Sequence, residues 1–261
     1  MDSFSAKEFK RLADEEPDAH VQYCNGIQYS EQPGVPGEDV YWVRKIYSNL
    51  KETPQDQLVP NVAYGYTFQS YTTNVPEYLK YLVKTVKKLG GRLQRQSFES
   101  IQEVIEQYKD VDTVINCTGL GSYYLKDVQD HTMYPIRGQT ITVRAPHIKV
   151  RPYPSSDRWT YIIPRGDGTV ICGGTVDRVN RQTSPDDEIT KSILERVYNL
   201  YPEITHGKGV DAFDIVAVNV GFRPGRAGGI RLEKEIKRFQ SSWGASNKLV
   251  QLLNSKRVSK L

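Results

Sequence analysis

The sequence predicts an α/β fold in which helix–strand segments are interleaved with a mainly antiparallel β unit. Three observations predict it. Residues 74 to 116 alternate amphipathic helical periodicity with short β-rich runs, the pattern of an α/β layer with parallel strands. Residues 134 to 175 change to short apolar runs punctuated by Gly, Pro and Asp, as in an antiparallel sheet. A third amphipathic stretch, from Ser184 onward, then returns the chain to helix.

The elements follow in order. Ser5-Ala6-Lys7-Glu8 reads as a capping box that opens a short helix, with Phe9, Leu12 and Ala13 on one face and Pro17 as its stop. Residues 25 to 70, rich in Gly, Pro and aromatics, read as strands and long loops. Asn74-Val75-Pro76 starts the clearest helix. Leu79, Leu82, Val83, Val86 and Leu89 form its apolar face, its lysines form the solvated one, and Gly90-Gly91 ends it. A strand is expected over 92–96. A helix capped by Ser100 with Glu103 should then run towards Tyr108, followed by a strand over 113–116. Strands are expected at 140–143, 159–163 and 169–172, the last two joined by a hairpin at Gly166-Asp167-Gly168. Ser184-Pro185-Asp186-Asp187 caps the third helix, with Pro at its first position and Ile189, Ile193, Leu194, Val197 and Tyr198 as its buried stripe.

Composition narrows the function classes. At 261 residues the chain is long enough for one large or two interleaved domains. The net charge is +4 with Lys and Arg dispersed, which argues against nucleic-acid binding. No apolar run approaches the ~20 residues of a membrane helix, so no membrane partner is expected. Met1-Asp2-Ser3-Phe4 carries no signal-peptide pattern. Cys24, Cys117 and Cys172 form neither a metal spacing nor a disulfide framework, and the four histidines show no ligand spacing. No metal is therefore expected. The terminal tripeptide Ser259-Lys260-Leu261 reads as a peroxisomal import address, to be bound by the import receptor. Peroxisomes house oxidases that pass electrons to oxygen, so this ending favours that class.

Four segments could carry chemistry. Asn116-Cys117-Thr118-Gly119-Leu120-Gly121 follows a strand directly, and its small residues let backbone approach a ligand. A plain tight turn explains it equally well. Pro135-Ile136-Arg137-Gly138-Gln139 leads into a strand, and Arg137 reads alternatively as a solvated loop residue. Tyr161-Ile162-Ile163-Pro164 and Val170 to Thr175 form two arms of the hairpin, placing Tyr161 and Thr175 at one end of a sheet. A packing aromatic is the other reading of Tyr161. Val220 to Gly229 puts Arg223 between a strand and a Gly-rich turn. A guanidinium is a planar fork that matches a carboxylate, so Arg223 is a candidate anion clamp, with a structural ion pair as its competitor.

Together, N-C-T-G-L-G, P-I-R-G-Q, Y-I-I-P, C-G-G-T, V-G-F-R-P-G-R and Q-S-S-W-G-A resemble, in order and approximate spacing, the D-amino-acid oxidase family of flavoenzymes, which includes D-aspartate oxidase. The likeness covers nearly the whole chain. It implies a partial Rossmann-like FAD-binding domain, residues 76–121 and 216–261, interleaved with an antiparallel β substrate domain, residues 1–75 and 122–215. It implies that Arg223 holds the substrate carboxylate, that Tyr161 donates a hydroxyl to it, and that Gln240 lies near flavin and substrate. Asn116, Thr118, Gly119, Gly121, Arg137, Gly138 and Gln139 would line the FAD crevice. The implied reaction is hydride transfer from the Cα of a D-amino acid to flavin N5, followed by reoxidation by molecular oxygen to hydrogen peroxide. The imino acid then hydrolyses to a keto acid and ammonia.

The sequence departs from that pattern in three places. Family members begin with a βαβ unit carrying G-x-G-x-x-G, whose glycines and helix N-terminus cradle the FAD pyrophosphate; this sequence has no such fingerprint. The resemblance thus implies a chain lacking its N-terminal FAD-binding segment, with a bare strand edge, exposed apolar surface and compromised FAD binding. A Gly-rich loop that packs on the flavin is missing between Glu235 and Gln240. Val176 follows Gly173-Gly174-Thr175, where many members place a Tyr, or an Arg in aspartate oxidases. Val176 favours neutral D-amino acids. The alternatives are a D-aspartate oxidase using Arg158 or Arg178, and a non-catalytic peroxisomal remnant.

Overall fold

The computed structural model describes residues 3–30, 49–58, 62–154, 160–241 and 244–254. A helix α1 (Ser3–Glu15) and a 3-10 turn (Pro17–Ala19) lead into strand β1 (Val21–Ser30). There follow β2 (Lys51–Glu52), β3 (Tyr64–Thr73), α2 (Val75–Lys88), α3 (Ile101–Gln107) and β4 (Thr113–Asn116). The β-rich stretch is β5 (Met133–Arg144), β6 (Val150–Pro154), β7 (Tyr161–Pro164) and β8 (Thr169–Gly173). Helix α4 (Asp187–Leu200), β9 (Ile215–Arg226), β10 (Arg231–Ser241) and β11 (Gly244–Asn254) complete it. Among the described residues no helix is long and apolar enough to cross a membrane.

The strands form three sheets, in the orders β2-β3-β1-β6, β10-β11-β4 and β7-β8-β5-β9. The chain divides into two compact units. The first comprises residues 1–93, 139–176 and 182–220; the second comprises 94–138, 177–181 and 221–261. Strands β5 and β9 each contribute residues to both.

In the first unit the stripe of α4 closes the main core. Ile193, Leu194 and Val197 are buried with Ile141, Val143, Ile162, Val170 and Cys172. Burial pushes the Cys172 thiol up to about 12, so it stays protonated and inert. The helix opens on Asp186, whose Oδ1 accepts from Ile189 N at 3.0 Å. Pro185 thus precedes the cap instead of occupying the first helical position. Two hydrogen bonds close the β7–β8 hairpin where expected, Arg165 N to Thr169 O at 2.8 Å and Gly168 N to Arg165 O at 3.3 Å.

Other elements correct the sequence reading. Helix α1 starts at Ser3, so Ser5 lies inside it and is not its cap. Helix α2 has the expected ends: Asn74 holds the N-cap position, though its side chain donates to Asp167 Oδ2 at 2.8 Å and not to the helix, and Gly90 at φ +84° lets Gly91 N reach Val86 O at 2.8 Å. Its expected apolar face is not the one that docks. Tyr78 and Tyr81 pack against Leu12, Ala19 and Val21, while Leu79, Leu82, Val83 and Val86 remain exposed. The expected strand over 92–96 does not form. Those residues are exposed and meet no partner strand among the described residues, and an isolated β segment gains nothing in water.

The second unit holds the sheet β10-β11-β4 and a smaller core of Ile101, Ile105 and Leu125. Helix α3 starts as its capping residues predict, with Ser100 Oγ accepting from Glu103 N at 3.2 Å. Strand β4 is parallel to β11 and is the last strand of its sheet among the described residues.

Candidate active site

Three of the four segments singled out from the sequence meet in the second unit. Asn116 ends β4 with a buried amide that organises the next turn. Its Nδ2 donates to Ser122 Oγ at 3.2 Å, and its Oδ1 accepts from Thr118 N at 3.1 Å and Thr118 Oγ1 at 2.8 Å. These bonds engage the side chains of Asn116 and Thr118 within the turn, so what the turn offers a ligand is chiefly backbone. Gly119 sits at φ +57°, a conformation that glycine adopts without strain. A methyl group built on Gly119 would lie 3.8 Å from the Pro224 ring. The turn therefore borders the segment that carries Arg223. Gly121 faces Thr118, 3.2 Å from such a methyl group to Cβ.

Gly138 and Arg223 meet more closely. A methyl group on Gly138 would lie 2.3 Å from Arg223 Nη1 and 2.8 Å from Cζ and Nη2. Only a residue without Cβ leaves the guanidinium that space. Arg223 is nevertheless solvent-exposed, with its guanidinium lying over the Gly138 backbone. The neighbouring Arg137 is fully buried; its backbone exchanges hydrogen bonds with Asp177, at 2.7 and 2.9 Å.

An ionic knot fixes the far end of the Arg223 strand. Asp130, buried, accepts from Arg226 Nε at 2.9 Å, with Arg231 Nη1 at 3.7 Å. The Thr132 hydroxyl also donates to it. Burial pushes the Asp130 carboxyl up, but the bonds from Thr132 and Arg226 and the Arg226 charge outweigh it and hold it down at about 2.

The fourth segment belongs to the first unit. Tyr161 stands opposite Gly173 in the β7–β8 register, as the hairpin reading requires. Its ring covers two glycines: methyl groups on Gly173 and Gly174 would lie 2.1 and 2.6 Å from ring carbon and hydroxyl oxygen. Gln139 serves the scaffold of this unit. Its Nε2 donates to Asp186 O and Thr190 Oγ1, both at 2.8 Å, and its Oε1 accepts from Asp186 N at 3.0 Å. Its backbone N donates to Thr175 Oγ1 at 2.9 Å. Gln240 lies on β10 opposite Ala245; its side chain, Arg158 and Ser259-Lys260-Leu261 lie outside the described residues.

Residues 4–243 match the family described as FAD dependent oxidoreductase. The chain is 33% identical over 239 residues to a D-amino-acid oxidase of Schizosaccharomyces pombe, covering 90% of this chain and 68% of that one. It is 38% identical to a D-amino acid oxidase of Dugesia ryukyuensis, covering 84% and 62%. The chain belongs to the FAD-dependent oxidoreductase family. A D-aspartate oxidase of Talaromyces thermophilus is 29% identical, covering all of this chain and 74% of that one. Among solved structures, glycine oxidase from Bacillus cereus shares the fold with TM-score 0.67 at 14% identity, over 96% of this chain and 73% of that one.

Family membership makes FAD the cofactor to test against these residues. In open α/β sheets ligands bind beyond the carboxyl ends of strands. A cleft of about 700 Å³ opens at the end of β4, lined by Ser97, Phe98, Val114, Asn116, Gly121 and Tyr124. Phe98 and Tyr124 were not legible as site residues, because neither belongs to a motif. The cleft and its glycine turn suit part of a flavin nucleotide. A pyrophosphate cradle of the G-x-G-x-x-G type is absent from the sequence, so the fit is to a portion of the cofactor only.

Sequence reading also missed Arg196. From the polar side of α4 its Nη1 donates to Thr160 Oγ1 at 2.9 Å and its Nη2 to Gly174 O at 3.1 Å. It thereby ties the helix to the glycine pair beneath Tyr161. Nothing in a helical repeat distinguishes such an Arg from a solvated one.

Proposed function

We propose that this chain is the substrate-binding part of a FAD-dependent D-amino-acid oxidase, with Arg223 as the clamp for the substrate carboxylate. The observation that carries this reading is the seating of the Arg223 guanidinium on Gly138. With the guanidinium lying over Gly138, its planar fork matches a carboxylate through two parallel N–H donors. The Asp130–Arg226 knot holds the strand end and limits its drift. FAD, when bound, supplies the two-electron oxidation of the amino acid and the reduction of oxygen to hydrogen peroxide. The protein's part is to orient the substrate and exclude competing geometries.

Val176 after Gly173-Gly174-Thr175 favours a neutral side chain on the substrate. Arg178, exposed, lies with its guanidinium 6.0 Å from the Tyr134 ring centroid, and it is the described residue that an acidic substrate would use. The D-aspartate oxidase relative gives the second reading, an acidic substrate, and the ratio of kcat/KM for D-alanine and D-aspartate decides between them. We also infer a peroxisomal location from Ser259-Lys260-Leu261; removing Leu261 from an N-terminally tagged chain should leave it outside peroxisomes.

The deciding experiment is calorimetric titration of D-alanine into the FAD-supplemented chain. Saturable binding is expected, weakened at least about tenfold in Arg223→Lys because an ammonium cannot replace the fork. Wild-type affinity in both Arg223→Lys and Arg223→Met would overturn the clamp. Tyr161→Phe in the same assay tests the role that resemblance gives Tyr161.

A further inference from the structure

Far apart in sequence, His147, Glu203 and His206 come together on the first unit. His147 follows β5 and precedes Ile148, while Glu203 and His206 flank Ile204 at the 3-10 turn Pro202–Thr205. Ile148 and Ile204 are both buried in the main core, so the backbone on each side is anchored. His206 occupies the left-handed region at φ 53° as the cap of that turn, its N bonded to Glu203 O at 2.9 Å. The two imidazoles stack with centroids 4.0 Å apart. One ligand atom from each of the three residues lies within 4.8 Å of the others.

We propose that His147, Glu203 and His206 form a binding site for a divalent transition-metal ion. Two imidazoles and one carboxylate are the donor set that suits zinc, nickel or copper. The tautomer of His147 is already set. Its Nε2 lies 3.0 Å from the Glu203 carbonyl oxygen, which can only accept, so Nε2 carries the proton and Nδ1 keeps the lone pair. A backbone carbonyl holding the other ring nitrogen is the usual outer partner of a metal-bound histidine. Metal–nitrogen distances of about 2.0–2.1 Å put donor atoms roughly 3.3 Å apart in a tetrahedral site. The donor atoms must close by up to about 1.5 Å, and the stacked rings, both exposed, must turn so that their in-plane lone pairs converge on one ion. The surrounding cleft of about 320 Å³ leaves room for water as further ligand, and it also presents Arg144, Lys208 and Asp214. Arg144 is matched by Asp214 at 3.5 Å, which leaves Lys208 as the cation opposing the metal.

The site is independent of the oxidase reading, and its test needs no turnover. Cobalt(II), then zinc, is titrated into the full chain, followed by visible absorption, calorimetry and thermal unfolding. Binding of one ion with a tetrahedral or five-coordinate cobalt spectrum, free of thiolate charge transfer, is expected. Thermal stability should rise with metal concentration by mass action. His147→Ala and His206→Ala should each weaken binding at least roughly tenfold, since even outer partners are worth about 10- to 100-fold. Glu203→Gln, nearly isosteric, covers the case in which a histidine variant fails to fold. His131→Ala should bind like the wild type. The proposal is overturned if the wild type binds no ion, if the spectrum shows thiolate ligation from the exposed Cys117, or if His147→Ala and Glu203→Gln bind unchanged.

Discussion

Helices α2 and α4 have the same length, fourteen residues, and each carries one apolar stripe. Helix α4 buries Ile193, Leu194 and Val197 against β5 and β8. Helix α2 buries none of its residues fully and leaves Leu79 at 55% exposure and Val86 at 43%. The same periodicity has therefore led to opposite environments. An apolar stripe states what a helix has available to bury; the strands placed opposite decide whether it is used. For α4 a sheet with an apolar face lies opposite. For α2 the docking is by Tyr78 and Tyr81, and by Lys84 reaching Asp18 at 2.7 Å. The contrast extends to the strands. Ile141 and Val143 of β5 are completely buried, whereas Ile115 of β4 is 54% exposed.

The sharpest way to break this comparison is to truncate the α4 stripe. Ile193→Ala removes a fully buried side chain from the main core and should cost about 2–5 kcal/mol. Urea unfolding checks it, with a shift of the midpoint at constant slope. A loss below about 1 kcal/mol would mean that the core relaxes around the cavity, and that α4 is no better anchored than α2.

How much of this was legible follows from the same division. Features set by neighbours in sequence were readable: Asn74 and Gly90 bounding α2, Ser100 capping α3, the turn at Gly166–Gly168, and Tyr161 beginning one arm of the hairpin; Thr175, expected at the end of the other arm, lies beyond β8, which stops at Gly173. Capping and turn chemistry act over a few residues. The strand expected over 92–96 failed because a strand needs a partner, and no local signal supplies one. Helix α2's docked face was missed for the related reason that, beside its aliphatic stripe, it carries a second, aromatic pair, Tyr78 and Tyr81, on another face. The motif carrying Arg223 was visible, but its seat on Gly138 was not, since that pairing is a product of topology. Arg196 at Gly174 and His147 beside His206 were hidden the same way.

Gly138→Ala sharpens the comparison at the site. The added methyl group meets the end of a flexible side chain, Arg223 Nη1 at 2.3 Å, so the guanidinium can move away. Stability should fall by no more than about 1 kcal/mol, while carboxylate binding should weaken about tenfold because the fork loses its seat. Calorimetry and urea unfolding on the same sample separate the two. A stability loss without a binding loss would show that Gly138 serves packing alone.

Acid titration probes the second unit at Asp130. Its carboxyl is held at about 2 in the fold against 3.8 ordinarily, so the folded state binds the proton less readily than the unfolded one. The stabilisation is complete above about pH 4 and disappears as pH falls towards 2. Its size is on the order of 1 kcal/mol once solvent screening is discounted. Asp130→Asn should flatten the acid limb of stability against pH in that window. An unchanged limb would mean that Arg226 and Arg231 contribute no net stabilisation through this carboxylate.

Leu79→Lys in α2 should do least. Leucine and lysine have similar helix propensities, the side chain is already half in water, and surface changes of this kind stay within about 0.5 kcal/mol. The substitution also breaks up an apolar strip that runs on through Leu82, Val83 and Val86, so solubility should improve. This small effect is the one on which the comparison turns. If Leu79→Lys cost as much as Ile193→Ala, the stripe of α2 would be buried in solution, and both helices would obey one rule. If it costs nothing, the aliphatic stripe is surplus to the stability of this chain, and Tyr78, Tyr81 and the Lys84–Asp18 pair hold α2 in place.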